Sequence, residues 1–395
     1  MHFRARAAAW ALVGALVLPV GVGLAHADEP TPGTTAPLIT IDAAPGKDGR
    51  RALTKPLRVT VTGGTLQSVT GSATPIGVKD VARAAPVPGT VGVGATSWVS
   101  QRLLPARTYR LAVVAVAPDG TTVTQAAQVR SAKPGKTLTA RITPSSGQVV
   151  GVGMPLTVNL SKPVTTKAAR AAVQQALVVS TSRPIAEAAW GWTSSTQLQY
   201  RPRGFWPAFT TVKVKVNLAG LTIGKNVWAV RDTATRYKIG RSQIMRVDGR
   251  RHTYTVVRNG KTVRSGGVSL GKSGFTTRSG IKVIMTREVS RRMRSTTVGI
   301  VSGANAYDLQ VPYAMRLTNS GEFVHGAPWN SHIGAANVSH GCTNLTLTDA
   351  KWLYRTSQIG DPLVTRGTSR GSEPGNGLGS FWNLSWSQWK ARSAA

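Results

Sequence analysis

The residues best suited to chemistry are gathered in one short stretch of the chain. Of six histidines, His325, His332 and His340 fall within sixteen residues and lead directly into Cys342, the single cysteine. A cysteine nucleophile needs a base to take its proton and donors to receive the oxyanion formed when a carbonyl is attacked. The run Ser339-His340-Gly341-Cys342-Thr343-Asn344 offers both. Gly341 lets the backbone approach a substrate closely, and the backbone amides of Gly341 and Thr343, on either side of Cys342, are candidate oxyanion donors. In an extended conformation His340 and Cys342 share one face, so spacing makes His340 the nearer candidate base.

Three other readings compete for the same residues. A zinc site drawn from His325, His332, His340 and Cys342 fits no familiar structural spacing and lacks a second cysteine. A buried, inert cysteine would leave the histidines incidental. A serine nucleophile would call for a Gly-x-Ser-x-Gly elbow, which is not present. No Asp or Glu stands beside the cluster, so a backbone carbonyl or an amide side chain must orient the base. With 15 acidic residues in all, a Ca²⁺ or Mg²⁺ enzyme is disfavoured as well.

The elements that must position this cluster read as β-structure. The 395 residues call for two or three domains, and 41% apolar residues suffice for packed cores. Leu57, Val59 and Val61 alternate with polar residues, and Tyr109–Ala117 and Thr121–Val129 flank the turn Pro118-Asp119-Gly120. A second block, with strands at 138–142, 156–160, 198–200 and 212–216, repeats the style around one short helix at 167–176. Two such blocks predict immunoglobulin-like sandwiches over 38–134 and 135–237. A third block, 238–368, has strands at 244–247, 253–257, 262–264, 282–285, 313–317 and 322–325. It adds the hairpin turn Asn259-Gly260 and a helix at 349–354 capped by Thr348. The loop between Glu288 and Ala306 is basic, with Arg287 just before it and Arg291, Arg292 and Arg294 within. The tail, 369–395, carries Trp382, Trp386 and Trp389 at helical spacing and is expected to dock on a neighbouring unit.

The N-terminus speaks to compartment. Arg4 and Arg6 precede an apolar stretch from Ala7 to Ala25, and Ala25-His26-Ala27 fits a small-x-small cleavage site. Residues 1–27 therefore read as a signal peptide, with an uncleaved membrane anchor as the alternative, and 28–37 as a polar linker. The charge is +34, and +32 once Arg4 and Arg6 leave. Outside the cell this favours an anionic envelope polymer over nucleic acid as partner. A lone thiol in an oxidising compartment is either buried and inert or kept for its reactivity.

His325, followed fourteen positions later by Ser339-His340-Gly341-Cys342-Thr343-Asn344, resembles the signature of L,D-transpeptidases with a YkuD-type catalytic domain. That signature is a histidine, a restricted gap, then Ser/Thr-His-Gly-Cys-x-Asn. The order of parts resembles the actinobacterial members, which carry two immunoglobulin-like domains, the catalytic domain and a Trp-rich end. Stretches 137–150, 240–244, 323–329 and 382–389 share that likeness. The resemblance implies a mainly β protein with two tandem sandwiches ahead of a β-rich catalytic domain. It implies Cys342 as nucleophile, His325 rather than His340 as base, the Gly326 carbonyl orienting the ring, and His340 in support. Substrate contacts would fall on Tyr307, Ser320, Gly321 and Asn344, with Met293 and Trp329 in the lid and pocket wall. No cofactor or metal is implied. The substrates would be peptidoglycan stem peptides, a tetrapeptide donor and a diaminopimelate acceptor, and a monomer is expected. One departure is Gly326, where the family more often has serine.

Overall fold

The computed structural model describes residues 36–46, 48–76 and 84–394. The apolar leader, residues 1–27, and most of the expected linker lie outside the described residues. Among the described residues no helix is long and apolar enough to cross a membrane.

The alternating pattern of the first block folds as two four-stranded sheets. Leu38–Asp42, Arg58–Thr62, Ser97–Ser100 and Gly89–Val91 form one; Ala85–Pro86, Thr65–Pro75, Arg107–Val116 and Thr122–Arg130 form the other. Val59, Val61 and Trp98 face Leu111, Val113 and Ala115 across the sandwich. The second block forms two further four-stranded sheets and a small three-stranded one around their own core. Its helix, Lys167–Gln175, is capped by Thr166, whose hydroxyl accepts from the Ala169 amide at 3.2 Å. The expected end of this block at residue 237 falls inside a strand, Thr233–Ile239. Alternation continues to Ile239, and both Tyr237 and Ile239 are buried in the second core.

The third block places a five-stranded sheet against a four-stranded one. The first runs Lys261–Gly267, Thr253–Arg258, Gln243–Asp248, Pro362–Arg366 and Gly280–Val283; the second runs Thr286–Arg294, Asp308–Arg316, Phe323–Gly326 and Thr343–Leu345. Met245, Tyr254, Val256, Leu270, Met315 and Val324 fill the space between. Three local expectations are corrected here. The helix is Leu347–Thr356 and its cap is Thr346, whose hydroxyl accepts from the Asp349 amide at 3.1 Å; Thr348 sits inside the first turn. The strand expected at 282–285 is Gly280–Val283, because Ile284 and Met285 carry the chain from one sheet to the other. The basic segment is no loop up to Arg294: it pairs with Asp308–Arg316 as a hairpin. Arg292 and Arg294 meet Asp308 there at 2.7 and 3.5 Å, and Arg291 meets Glu288 at 2.6 Å.

The second sandwich and the third block meet backbone to backbone. The Gly151 and Gly153 amides donate to Ile359 O and Gly360 O at 2.8 and 2.9 Å. A Cβ on Gly151 would lie 2.2 Å from the Asp361 nitrogen, so only glycine permits this approach. The tail locks the joint, as a short 3-10 turn, Ser380–Asn383, and a five-residue helix, Trp386–Lys390, rather than one amphipathic helix. Trp382 Nε1 donates to Gly153 O at 2.8 Å and Trp389 Nε1 to Ala189 O at 3.1 Å. The buried Arg201 guanidinium lies 4.8, 5.5 and 5.0 Å from the rings of Trp382, Trp386 and Trp389, so cation–π attraction offsets part of its desolvation. Trp389→Ala removes the largest fully buried side chain among the described residues and is expected to cost about 3–5 kcal/mol. Thermal denaturation checks this, and a loss under about 1 kcal/mol would show that the tail is not a structural lock.

Candidate active site

Parallel pairing brings the two halves of the motif together. Phe323–Gly326 and Thr343–Leu345 are neighbours in register, with His325 opposite Asn344. Every residue of the first strand is buried, so the His325 ring is held out of water and needs partners for both nitrogens. Nδ1 donates to Gly326 O at 2.8 Å, and Nε2 accepts from Asn344 Nδ2 at 3.1 Å. Asn344 is held in turn by Asn330, whose Nδ2 donates to its Oδ1 at 3.0 Å. The Trp329 ring stacks on the imidazole at 6.2 Å. Burial pushes the His325 pKa down to about 4, the bond to Gly326 O partly opposing it.

The loop carrying Cys342 is built by Ser339 and Gly341. Ser339 Oγ donates to Cys342 O at 2.7 Å and accepts the Gly341 amide at 3.1 Å. Gly341 has φ +114° and its carbonyl accepts from Thr277 Oγ1 at 2.9 Å. Two expectations change as a result. The Gly341 amide is already committed to Ser339 and is not a free oxyanion donor. The chain between His340 and Cys342 is kinked rather than extended, so the face-sharing argument for His340 does not apply. The His340 ring lies between Phe275 and Tyr307, at 4.7 and 5.0 Å, and its Nε2 has no partner among the described residues. Burial, then the Lys272 charge, lowers its pKa. Thr343 begins its strand opposite Val324.

Cys342 packs with Met293 against Val311, Ala314 and Phe323. Its sulfur lies 3.9 Å from Gly321 O. Burial pushes the thiol up to about 11; the Phe323 amide opposes this, Glu322 adds to it and Lys282 offsets it. A cavity of about 310 Å³ opens beside the sulfur, lined by Met293, Tyr307, His325, Trp329, His340 and Asn344 among others, His332 included. Ser320 and Gly321 do not line it. The Ser320 hydroxyl and amide bond to Asn376, at 2.9 and 3.0 Å, and Gly321 meets the sulfur from behind. Among the described residues no group of three or more His, Cys, Asp or Glu converges on a metal position.

Sequence reasoning missed what stands behind Gly321. Glu322 is buried and accepts from Arg278 NH1 at 3.0 Å and Lys282 Nζ at 2.9 Å, while Arg278 also holds Glu373 at 2.9 Å. These residues are scattered over 95 positions, and nothing in their local pattern marks them as neighbours of the cysteine.

A family model described as a bacterial Ig domain matches residues 50–222, and one described as an L,D-transpeptidase catalytic domain matches 242–365. L,D-transpeptidase 2 of Mycobacterium tuberculosis is 32% identical over 393 residues, covering 97% of this chain and 93% of that protein. The chain belongs to the L,D-transpeptidase family. L,D-transpeptidase 1 of the same species is 34% identical over 58% of this chain and 84% of its own. A solved structure of the L,D-transpeptidase LdtMt1 in complex with imipenem is 32% identical, with a TM-score of 0.50, over 59% of this chain and 100% of that one.

In this L,D-transpeptidase burial holds Cys342 and His325 each in the neutral form at neutral pH. With Nδ1–H bonded to Gly326 O, Nε2 is the nitrogen with a lone pair to offer. A reagent that needs a preformed thiolate, such as iodoacetamide, should therefore alkylate Cys342 slowly at neutral pH. Its rate is expected to climb about tenfold per pH unit until the thiol titrates near 11. A rate that levels off above pH ~8 would mean an ordinary or depressed thiol pKa and a resting ion pair instead.

Proposed function

We propose that the protein is an exported, cysteine-dependent L,D-transpeptidase that forms 3→3 cross-links between peptidoglycan stem peptides. The observation that carries this reading is the buried chain Gly326 O, His325, Asn344 beside Cys342 at the wall of one cavity. The likeness to L,D-transpeptidase 2 of Mycobacterium tuberculosis over nearly the full length supports it.

Catalysis begins as Cys342 Sγ attacks the carbonyl carbon between the L-centre of diaminopimelate and the terminal D-Ala of a tetrapeptide donor. Nε2 of His325 takes the thiol proton during the attack. The imidazolium keeps its Nδ1–H bond to Gly326 O, while protonation of Nε2 removes the acceptor that held Asn344 Nδ2. The carbonyl oxygen becomes an oxyanion, for which the Thr343 amide remains the candidate donor once the Gly341 amide is committed to Ser339. Collapse breaks the C–N bond, D-Ala leaves as an amine carrying the proton from Nε2, and a thioester remains. The side-chain amine of a second stem then attacks the thioester, gives its proton to His325, and restores the thiol. Tyr307, Asn344, Met293 and Trp329 line the space a stem peptide would enter. The basic surface, +32 after loss of the leader, holds the enzyme on anionic wall polymer, and no nucleic acid, metal or cofactor takes part.

Purified protein incubated with disaccharide-tetrapeptide is expected to give 3→3 dimers by mass spectrometry, and Cys342→Ala to give none. His325→Ala should lower the rate by about 10²–10⁴. The relative solved with imipenem motivates a second readout: one covalent imipenem equivalent per chain, absent in Cys342→Ala. Because His325 takes the proton within the step, this acylation should be flat above pH ~5 and fall only as the imidazole protonates near 4. No adduct on the wild-type protein, or tetrapeptide turnover by Cys342→Ala, would overturn the assignment.

A further inference from the structure

We propose that the outward face of one sheet of the second sandwich is a docking surface for a linear polyanion, a flexible chain bearing one anionic group per repeat. The inference rests on the reading of the protein as a wall enzyme and deepens it by naming the surface. The sheet is Val149–Val150, Thr233–Ile239, Thr211–Val216 and Leu177–Thr181. Alternation buries Val212, Val214 and Val216 on one side and leaves Lys213 and Lys215 exposed on the other. In the adjoining strand Tyr237 and Ile239 point inward while Arg236 and Lys238 are exposed.

Register turns these four into one patch. Lys213 stands directly opposite Arg236, and Lys238 lies opposite Thr211, one diagonal step from Lys213. Lys215 lies opposite Ala234, one diagonal step from Arg236. Directly opposed residues have Cβ atoms ~5 Å apart and diagonal ones ~7–8 Å, within the ~8 Å screening length at physiological ionic strength. Like charges so placed destabilise a sheet unless an anion sits among them. None of the four forms an ion pair among the described residues. The rest of the face is neutral: Ser180 lies opposite Lys213 and Val178 opposite Lys215. Asp232, just ahead of the strand, is occupied with the Ala219 amide at 2.7 Å.

The contrast with the catalytic hairpin is informative. Arg291, Arg292 and Arg294, the basic run most evident in the sequence, are matched by Glu288 and Asp308. The sheet cations are not matched. The outward positions of these strands carry no aromatic side chain on which a base or sugar ring could stack, the exposed Phe209 standing just beyond their end, and the cations are spaced along the strands at about 6.8 Å. That spacing suits single anions recurring along a flexible chain.

The test uses the full chain with Lys213, Lys215, Arg236 and Lys238 all replaced by Gln. A control variant replaces Arg58, Arg110, Arg130 and Lys133, exposed cations of the first sandwich, and loses the same net charge. Binding to poly(glycerol phosphate) and to polygalacturonate is measured between about 50 and 200 mM salt. The sheet variant is expected to bind at least about tenfold more weakly at the low-salt end. Its salt dependence, the slope of log K against log salt, should fall by about 3. The control should stay within about twofold of wild type. Affinity for one polymer alone identifies phosphate or carboxylate as the anion and supports the proposal. Equal losses in both variants, or in neither, would overturn it, as would binding only to phosphatidylglycerol vesicles. The sheet variant's melting temperature should equal or exceed that of wild type, and imipenem acylation should be unchanged. Acylation without polymer binding condemns only this inference; polymer binding without acylation condemns only the enzymatic reading.

Discussion

The parallel pairing of Phe323–Gly326 with Thr343–Leu345 is the constraint on which the site depends. It sets His325 opposite Asn344 and delivers Cys342 one residue ahead of the second strand. Because the first strand is buried along its whole length, the imidazole must find both of its partners inside the protein. The neighbouring Gly326 carbonyl and the Asn344 amide satisfy that need. A backbone carbonyl does here what a carboxylate does in a Ser-His-Asp triad, fixing the tautomer and the ring plane. It does so without burying another charge, and it is indifferent to the side chain at position 326, which explains how glycine serves there.

The same burial sets the electrostatics. Desolvation disfavours imidazolium and thiolate alike, so both groups rest neutral, and in the mechanism proposed above proton transfer belongs to the reaction rather than to the ground state. A neutral thiol is a poor nucleophile and resists adventitious oxidation. Behind it, Glu322 bridges Arg278 and Lys282 in a nearly dry environment. Ion pairs of this kind contribute little net stability against an apolar alternative, but removing one partner would strand a buried charge. The position of Glu322, on the turn that presents Gly321 O and the Phe323 amide to the sulfur, links that cost to the geometry of the thiol.

Around this centre the chain solves a mechanical problem. The cavity walls come from the hairpin, from the loop after Gly326 and from the Ser339 loop, while the catalytic block as a whole is seated on the second sandwich. Backbone contacts at Gly151 and Gly153 and the tryptophans of the tail make that seat, with Arg201 beneath the rings. The excess positive charge is not spread evenly in its consequences. Glu288 and Asp308 neutralise arginines of the hairpin beside the cavity, whereas Lys213 and Arg236, opposed on the second sandwich, have no acidic partner among the described residues.

Sequence by itself determined the β-rich class, because alternating apolar residues leave only one side of each strand fit for a core, and it singled out Cys342, the one cysteine, with the histidines that crowd toward it. It also placed the hairpin turns, where Pro118-Asp119-Gly120 and Asn259-Gly260 act through local backbone preferences. Boundaries were less legible: the strand ending at Ile239 and the cap at Thr346 depend on which pairings and amides the fold leaves to be satisfied. Spacing pointed to His340 as the nearer base, and a single positive φ at Gly341 undid that inference. Only tertiary structure decided that Gly341 spends its amide on Ser339 and that Ser320 faces Asn376 instead of the cavity. The ion cluster behind the sulfur and the cross-strand Lys213–Arg236 pair belong to the same class of fact. Apart from the local Ser339–Gly341 contact, each joins residues distant in sequence through burial or register, and a linear pattern carries no record of which strands will pair.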